Sequence, residues 1–335
     1  MPKTKISVLI PFKNTAAYLP ECIDSILNQT FSDWEAIFVD DHSSDNSAKI
    51  VQNYAKNDSR IKCLKNKGSG IITALCTAYD DCNGNLITRM DSDDIMMPKK
   101  LQAMQLDLYS KGKGHIALGL VEYFSETGIN DGYKRYEKWL NKLISVGCNF
   151  NELYKECVIP SPCWMVHRVD FDKCGGFQSN TYPEDYDLAF RFFKFGLKCI
   201  PSKNILHRWR DYAVRTSRTS PNYAENSFVD LKLKYFLELS YDNSKTLVLW
   251  GAGKKGKKLA ALLLKIKIPF EWICDNPKKI GKNIYGKILK PWSTLSEINK
   301  SQSIITVANE NAQEFMVNYF NQQNKKHMKD YFFFT

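Results

Sequence analysis

Residues 89–94 read Arg-Met-Asp-Ser-Asp-Asp, so three carboxylates, Asp91, Asp93 and Asp94, follow directly on the apolar stretch Leu86-Ile87-Thr88. Carboxylates crowded this closely repel one another unless a cation or a buried proton neutralises them. The chemistry this suggests is a hard divalent ion with phosphate attached. Asp-Ser-Asp-Asp is also good turn material, because short acidic side chains bond nearby backbone amides. Two more acidic pairs stand at comparable places. Asp40-Asp41 ends the stretch Glu35 to Val39, and Glu184-Asp185 precedes the amphipathic stretch Tyr186 to Phe195. A carboxylate can serve as a general base, although acidic residues after Pro183 also suit the positive end of a helix.

The elements between these groups must bring them together. Ile6 to Ile10 and Glu35 to Val39 read as strands, and the segment Leu19 to Asn28 between them has apolar residues at Leu19, Ile23, Ile26 and Leu27. Strand, helix, strand in that order predicts a parallel pair with a right-handed crossover. A helix over Ser47 to Asn57, a strand over Arg60 to Leu64 and a helix over Ile71 to Tyr79 extend the pattern to the strand that leads into the acidic cluster. Ligands of open parallel sheets bind outside the carboxyl ends of the strands, where Pro11 to Asn14, Asp40-Asp41 and Asp91 to Asp94 all fall. Ser43, Asp45 and Asn46 fit the N-terminal cap of the next helix.

With 335 residues and 44% hydrophobic content, the chain can bury a sizeable core and is long enough for two domains. Domain boundaries are expected at 1–220, a helical linker over 221–243, and 244–335. The net charge of +11 favours an anionic substrate or an anionic membrane surface. The basic residues are spread along the chain with no nucleic-acid-binding motif, so nucleic acid is not an expected partner. None of the ten cysteines forms a CxxC pair, which points to reduced thiols and away from zinc. No apolar run approaches the roughly 20 residues that span a bilayer, and Met1 to Lys5 leads straight into a strand. A cytoplasmic location, at or near the inner face of the membrane, is therefore expected.

Several motifs occur in order along residues 5 to 218: Ser7-Val8-Leu9-Ile10-Pro11-Phe12-Lys13-Asn14, Ser25-Ile26-Leu27-Asn28-Gln29-Thr30, Val39-Asp40-Asp41-His42-Ser43-Ser44-Asp45, Asn66-Lys67-Gly68, Arg89 to Asp94, Gly175-Gly176-Phe177 and Glu184-Asp185-Tyr186-Asp187-Leu188. Together they resemble a family 2 glycosyltransferase. The resemblance implies an α/β architecture, the GT-A nucleotide-diphospho-sugar transferase fold, in which a mostly parallel sheet is flanked by helices. It also implies inverting transfer from a nucleotide donor to a glycan or lipid-linked glycan in polysaccharide or glycoconjugate biosynthesis, with Mg²⁺ or Mn²⁺ as cofactor. The family's DxD motif falls on Asp91-Ser92-Asp93, so by resemblance Asp93 coordinates the ion, while Asp91 lies near the ribose or the ion's water shell. Asp40 or Asp41 resembles the residue that reads the donor's base and ribose, and a carboxylate accepting from a uracil N–H would select UDP. The backbone around Pro11 and Asn14 would form the nucleoside wall. Asp185 is by resemblance the base, with Glu184 and Asp187 supporting it or capping the helix. Arg210 resembles the basic residue that closes over the donor phosphates, its planar fork suiting two oxygens at once, and His207 is a secondary candidate as ligand or phosphate contact.

After the turn at Asp242-Asn243-Ser244 a second pattern starts. Strand Thr246 to Trp250 runs into the glycine loop of Gly251, Gly253 and Gly256; a helix, Lys257 to Leu264, and a strand, Phe270 to Cys274, then end at Asp275. Strand before, helix after and an acidic residue about 20 positions on form the context of dinucleotide binding. The tail resembles small Rossmann-like domains that follow some bacterial glycosyltransferases. A second nucleotide or nucleotide-sugar is one reading, and a structural or oligomerising fold is the other. Two different functions stay in view for the whole chain: a non-catalytic nucleotide-sugar sensor, and a nicotinamide oxidoreductase acting through the tail.

Overall fold

The structure, a computed structural model, describes residues 5–178, 181–215, 218 and 228–335. The chain divides into two compact units, Met1–Phe150 with Val158–Ala224, and Asn151–Cys157 with Glu225–Thr335.

In the first unit, strands β1 (Ile6–Phe12), β2 (Trp34–Asp40), β3 (Ile61–Lys65) and β4 (Leu86–Arg89) pair in parallel, in the order β3-β2-β1-β4. Every residue of β1 is buried, as the near-continuous apolar run of a strand covered on both faces requires. Helices α1 (Leu19–Leu27), α2 (Ser47–Asn57) and α3 (Ile71–Asp81) make the crossovers. Helix α1 buries Leu19, Cys22, Ile23 and Ile26, the spacing of one helical face. Strands β5 (Ile95–Met96), β6 (His115–Leu118), β7 (Leu120–Phe124), β8 (Trp164–His167), β9 (Lys198–Ile200) and β10 (Ile205–Arg210) complete the unit. The sheet continues β4-β8-β6-β9, with β8 antiparallel to both its neighbours, and β5-β10-β7 form a separate small sheet.

The Gly175-Gly176-Phe177 segment is tied to the helix Glu184–Lys194. Arg191 pairs with Asp187 at 2.7 Å and donates to the carbonyls of Cys174 at 2.7 Å and Gly176 at 2.6 Å. The glycine motif is thus anchored by the helix whose first residues are Glu184 and Asp185.

The second unit is a five-stranded parallel sheet. With β11 (Thr246–Trp250), β12 (Glu271–Cys274), β15 (Lys290–Pro291), β16 (Ser301–Ile305) and β17 (Tyr331–Phe333), and a hairpin of β13 (Asn283–Ile284) and β14 (Lys287–Ile288) apart from it, the order is β15-β12-β11-β16-β17. Counted from β11, that is third, second, first, fourth, fifth, five positions of the doubly wound order 3-2-1-4-5-6. Its membership departs from the linear division expected from the sequence. The helix Val229–Leu239, expected within a linker, buries Val229, Leu231, Leu233, Tyr235 and Phe236, because an apolar face this wide has to be covered. Residues 224–227 of the expected helix lie outside the described residues. Residues 151–157 also join this unit. Tyr154 stacks on Phe334 at 5.5 Å and meets Phe236 and Phe332 edge-on, and Lys232 donates to the carbonyl of Lys155 at 2.8 Å.

Among the described residues no helix is long and apolar enough to cross a membrane, and all ten cysteines are free. Replacing Arg191 with Met removes the guanidinium from the Asp187 carboxylate, which is 3% exposed. The variant should lose about 3–5 kcal/mol in denaturant unfolding; a loss under about 1 kcal/mol would contradict the anchoring role.

Candidate active site

In the first unit the winding reverses between β1 and β4, so their carboxyl ends flank a topological switch point, the usual crevice of an open sheet. The ends are locked to each other: the Met90 amide donates to the Leu9 carbonyl at 3.0 Å, and the Thr15 and Ser92 hydroxyls lie 3.1 Å apart. Arg89, the last residue of β4, is 3% exposed and divides its fork. One terminal nitrogen meets Asp91 at 2.8 Å, the other Glu184 at 2.9 Å. Two acidic motifs some 90 residues apart in sequence therefore share one guanidinium. Burial pushes the Asp91 carboxyl up, but Arg89 outweighs it and holds the pKa below its ordinary value. Asp185, beside Glu184, is half-buried and accepts the Tyr186 amide at 2.8 Å. Burial and the neighbouring Glu184 charge push its pKa up.

Asp93 and Asp94 turn to the other side of the loop. Asp93 accepts from the Tyr212 hydroxyl at 2.8 Å; burial and the charges of Asp94 and Asp91 push its pKa up to about 7. Asp94 is fully buried, accepts the Arg210 amide at 2.8 Å, and lies 2.9 Å from His207 Nε2. Lys100, also fully buried, donates to the Pro162 carbonyl at 2.5 Å and lies 3.2 Å from His207 Nδ1. Burial, then the Lys100 charge, hold His207 well below its usual pKa. A neutral imidazole that accepts from Lys100 at Nδ1 and donates from Nε2 to Asp94 satisfies every partner.

Arg210, expected at the donor phosphates, is otherwise engaged. Its Nε donates to the Asp93 carbonyl at 2.7 Å and its fork pairs with Glu21, while the guanidinium lies over the rings of Tyr18 and Phe124. Arg215 was not anticipated. It is buried over the Trp209 ring, and its charge acts on Asp94, Asp93 and Asp91.

At the end of β2, Asp40 accepts the Ser43 amide at 2.9 Å, closing a turn. Asp41 is buried and accepts from Asn66 Nδ2 at 2.7 Å and the Gly70 amide at 2.8 Å. Pro11 lies inside buried β1, and Asn14 holds a positive φ of 52° while its side chain accepts the Ser44 amide at 2.8 Å. The amide of Ser47, the first residue of α2, donates to Asp45 at 2.9 Å, so Asp45 supplies the cap bond and the Asn46 side chain makes none.

Among the described residues no three His, Cys, Asp or Glu side chains form a cage for a metal. A Mg²⁺ or Mn²⁺ site of two carboxylates completed by phosphate oxygens needs no such cage. The residues fit that mode: Asp93 carries a carboxyl whose charge its surroundings leave under-compensated, and hard oxygen donors are what these ions take.

A sequence profile described as Glycosyl transferase family 2 matches residues 7–175, half of the chain. The chain belongs to glycosyltransferase family 2. An Escherichia coli relative of this family 2 chain, named UDP-Glc:alpha-D-GlcNAc-diphosphoundecaprenol beta-1,3-glucosyltransferase WfgD, is 32% identical over 171 residues, 50% of this chain and 66% of that enzyme. Four other curated glycosyltransferases are matched over only 15% to 36% of their own length. Among solved structures, S. aureus TarS 1–349 in complex with UDP-GlcNAc aligns with a TM-score of 0.56 at 15% identity, covering 79% of this chain and 74% of that one. The mannosyltransferase PcManGT from Pyrobaculum calidifontis, in complex with GDP-Man and Mn²⁺, aligns with a TM-score of 0.52 at 16% identity, covering 78% and 70%. The family 2 unit has the GT-A fold of these structures.

In the second unit the predicted glycine loop lies at the switch point between β11 and β16. Gly251 has a φ of +119°, and a Cβ on Gly256 would stand 2.2 Å from the Gly251 carbonyl oxygen, so neither tolerates a side chain. Gly253, which starts the helix Lys254–Lys265, faces open space. Asp275 is exposed, with Trp250 Nε1 3.1 Å from both its oxygens, and Lys279 reaches across the loop to the Ala252 carbonyl at 2.8 Å.

Sequence reasoning assigned roles to Asp91, Glu184 and Asp185 but none to Arg89, which stands two residues before Asp91. An Arg ending a strand next to an acidic loop was the available signal. Lysine carries a single ammonium that cannot span two carboxylates as a fork does. Arg89→Lys should therefore retain its fold by circular dichroism and lose about a hundredfold or more in sugar transfer. Wild-type rates would show the bridge to be dispensable.

Proposed function

We propose that this family 2 chain is an inverting, metal-dependent glycosyltransferase. It moves a sugar from a nucleotide donor, UDP-linked, to a glycan or lipid-linked glycan acceptor in polysaccharide or glycoconjugate biosynthesis. The single observation that carries this reading is the division of Arg89 between Asp91 and Glu184, because it holds a proton acceptor next to a diphosphate-binding loop. UDP as the nucleotide is favoured by the UDP-Glc in the name of the E. coli relative and the UDP-GlcNAc in the TarS complex. PcManGT, bound to GDP-Man, shows that the fold by itself does not dictate the base. The lipid-linked acceptor is favoured by the diphosphoundecaprenol in the relative's name. Catalysis at the inner face of a membrane would follow from such an acceptor.

Asp185 takes the proton of the acceptor hydroxyl as that oxygen attacks the anomeric carbon from the face opposite the leaving nucleotide. One displacement forms the new glycosidic bond and breaks the bond to phosphate, which inverts the centre without a covalent enzyme intermediate. Glu184, neutralised by Arg89, orients the helix end that presents Asp185. A divalent ion held by Asp93 and Asp91 would stabilise the charge that develops on the departing diphosphate. Arg215 is the cation better placed to assist there, since Glu21 engages Arg210. Asp41, bonded to Asn66 and the Gly70 amide, is preferred over the turn-closing Asp40 as the residue that meets the donor base, with Pro11 and Asn14 lining the nucleoside.

For the second unit we propose a nucleotide or nucleotide-sugar as ligand, supported by its strand order and by the open space above Gly253. Calorimetry on the full chain should then find two equivalents of nucleotide per protein, reduced to one by Gly253→Glu with transfer intact. A single equivalent in both proteins would favour a structural role for this unit.

Asp185→Asn should abolish transfer while donor binding persists, and preserved turnover would sink the assignment of the base. The base works only when ionised, and its pKa is raised. Accordingly kcat/KM should fall as pH drops through an acid limb lying well above the roughly 4 of an ordinary carboxylate. A limb near 4 would contradict that environment. Chelation of divalent ions should remove activity, with Mn²⁺ or Mg²⁺ restoring it.

A further inference from the structure

From the hairpin β13–β14 and the segment leading into it, we infer that the second unit carries a docking surface for an anionic lipid bilayer. Residues 278–290 contain five lysines, Lys278, Lys279, Lys282, Lys287 and Lys290, and no Asp or Glu. They also hold three large apolar side chains that face water: Ile280 at 37% exposure, Tyr285 at 56% and Ile288 at 60%. Residues 254–267 of the same unit carry six lysines and no acid, but among them Ile266 alone is a large apolar side chain of comparable exposure.

The local geometry keeps this arrangement outward. Tyr285 and Gly286 have positive φ of 55° and 79°, the pair that a two-residue turn between twisted antiparallel strands requires. Asn283 pairs with Ile288, and Ile284 with Lys287. Side chains alternate along a strand, so Leu289, 1% exposed, turns into the unit while Ile288 turns away from it. The base of the hairpin is fixed by the Gly281 amide on the Leu289 carbonyl at 2.8 Å and the Leu289 amide on the Lys282 carbonyl at 3.0 Å. The tip is braced by Tyr285 stacked on buried Trp272, centroids 6.4 Å apart. Ordering the apolar groups in solution removes most of the entropic cost of inserting them later.

The cations divide in the same way. Lys290 pairs with Glu271 at 2.7 Å, Lys279 is held by the Ala252 carbonyl and Lys287 by the Phe270 carbonyl. Lys278 and Lys282 are exposed, and their ammonium groups make no hydrogen bond or ion pair among the described residues. Phosphate headgroups at the surface of a leaflet suit those ammonium groups, and the acyl boundary beneath suits Ile280, Ile288 and the tyrosine ring, which settles where one end is apolar and the other wet. Neither signal alone holds a protein to a bilayer; a basic cluster joined to an apolar insertion does. A nucleic acid or an acidic protein would match the lysines and leave three apolar side chains without a use.

The experiment is sedimentation of the full-length protein with phosphatidylcholine vesicles, with and without phosphatidylglycerol, at low and high salt. Two double variants accompany it, Lys278→Glu with Lys282→Glu, and Tyr285→Ser with Ile288→Ser. Donor hydrolysis and the melting temperature are followed in each, so that loss of docking is separated from loss of the proposed catalysis and from unfolding. Binding should require the anionic lipid and weaken with salt. Each double variant should reduce it by about tenfold or more, with hydrolysis and melting unchanged. The inference is overturned if the wild-type protein fails to bind anionic vesicles, or if folded variants bind as well as it does. A shift of oligomeric state in the apolar variant, without any vesicle binding, would instead assign the surface to a second copy of the chain.

Discussion

A guanidinium at the end of β4 is shared by carboxylates from two distant parts of the chain, and the candidate site depends on this sharing. Arg89 is inside the protein, where an unpaired charge would be costly to hold, and each of its two terminal nitrogens meets an acid. Its Nε has no hydrogen-bond partner among the described residues, so the fork's direction is set by the two acids alone. The planar spread of the fork fixes how far Glu184 stands from Asp91. Asp185, next in sequence to Glu184, is placed with it. Burial and the neighbouring Glu184 charge raise the pKa of Asp185 even though Arg89 acts to lower it, which suits this carboxylate to the role of base proposed for it.

The loop between Asp91 and Asp94 divides its charges by direction. Asp91 looks toward Arg89, Asp93 toward Tyr212, and Asp94 into the buried chain of His207 and Lys100. Lys100 supplies a positive charge beneath the loop, and neutral His207 relays its hydrogen bonding to Asp94. With the last carboxylate bound inward, Asp93 remains as the one whose negative charge a cation from outside would relieve. The same acidic cluster that read as turn chemistry is therefore a turn on one side and an ion-binding candidate on the other.

Much of this could be read from residue order. The apolar runs at Ile6, Glu35 and Leu86, with helical spacing between them, located β1, β2, β4 and their crossovers to within a residue or two, because strands buried on both faces and amphipathic helices leave strong local periodicity. The glycine loop of the second unit was legible for a related reason: Gly251 and Gly256 occupy positions no other residue fits. What escaped was non-local. Nothing in the neighbourhood of Lys100 or Arg215 announces a partner, and Arg89, though two residues from Asp91, meets Glu184 only once the fold is complete. Residues 151–157 looked like part of the first unit because their place in the second depends on Tyr154 meeting Phe334 across most of the chain's length. Arg210 was chosen for its chemistry, but Glu21, on the first helix, engages it.

The most direct test of one site built from two acidic motifs is an anomalous difference map of the crystallised protein with Mn²⁺ and a nucleoside diphosphate. The account predicts a manganese peak in inner-sphere contact with Asp93 and the diphosphate, beside the Arg89-linked Asp91 and Glu184, with Asp185 open to the space where an acceptor hydroxyl would arrive. A peak found only away from Asp93, or a diphosphate bound at some other place in the first unit, would contradict it.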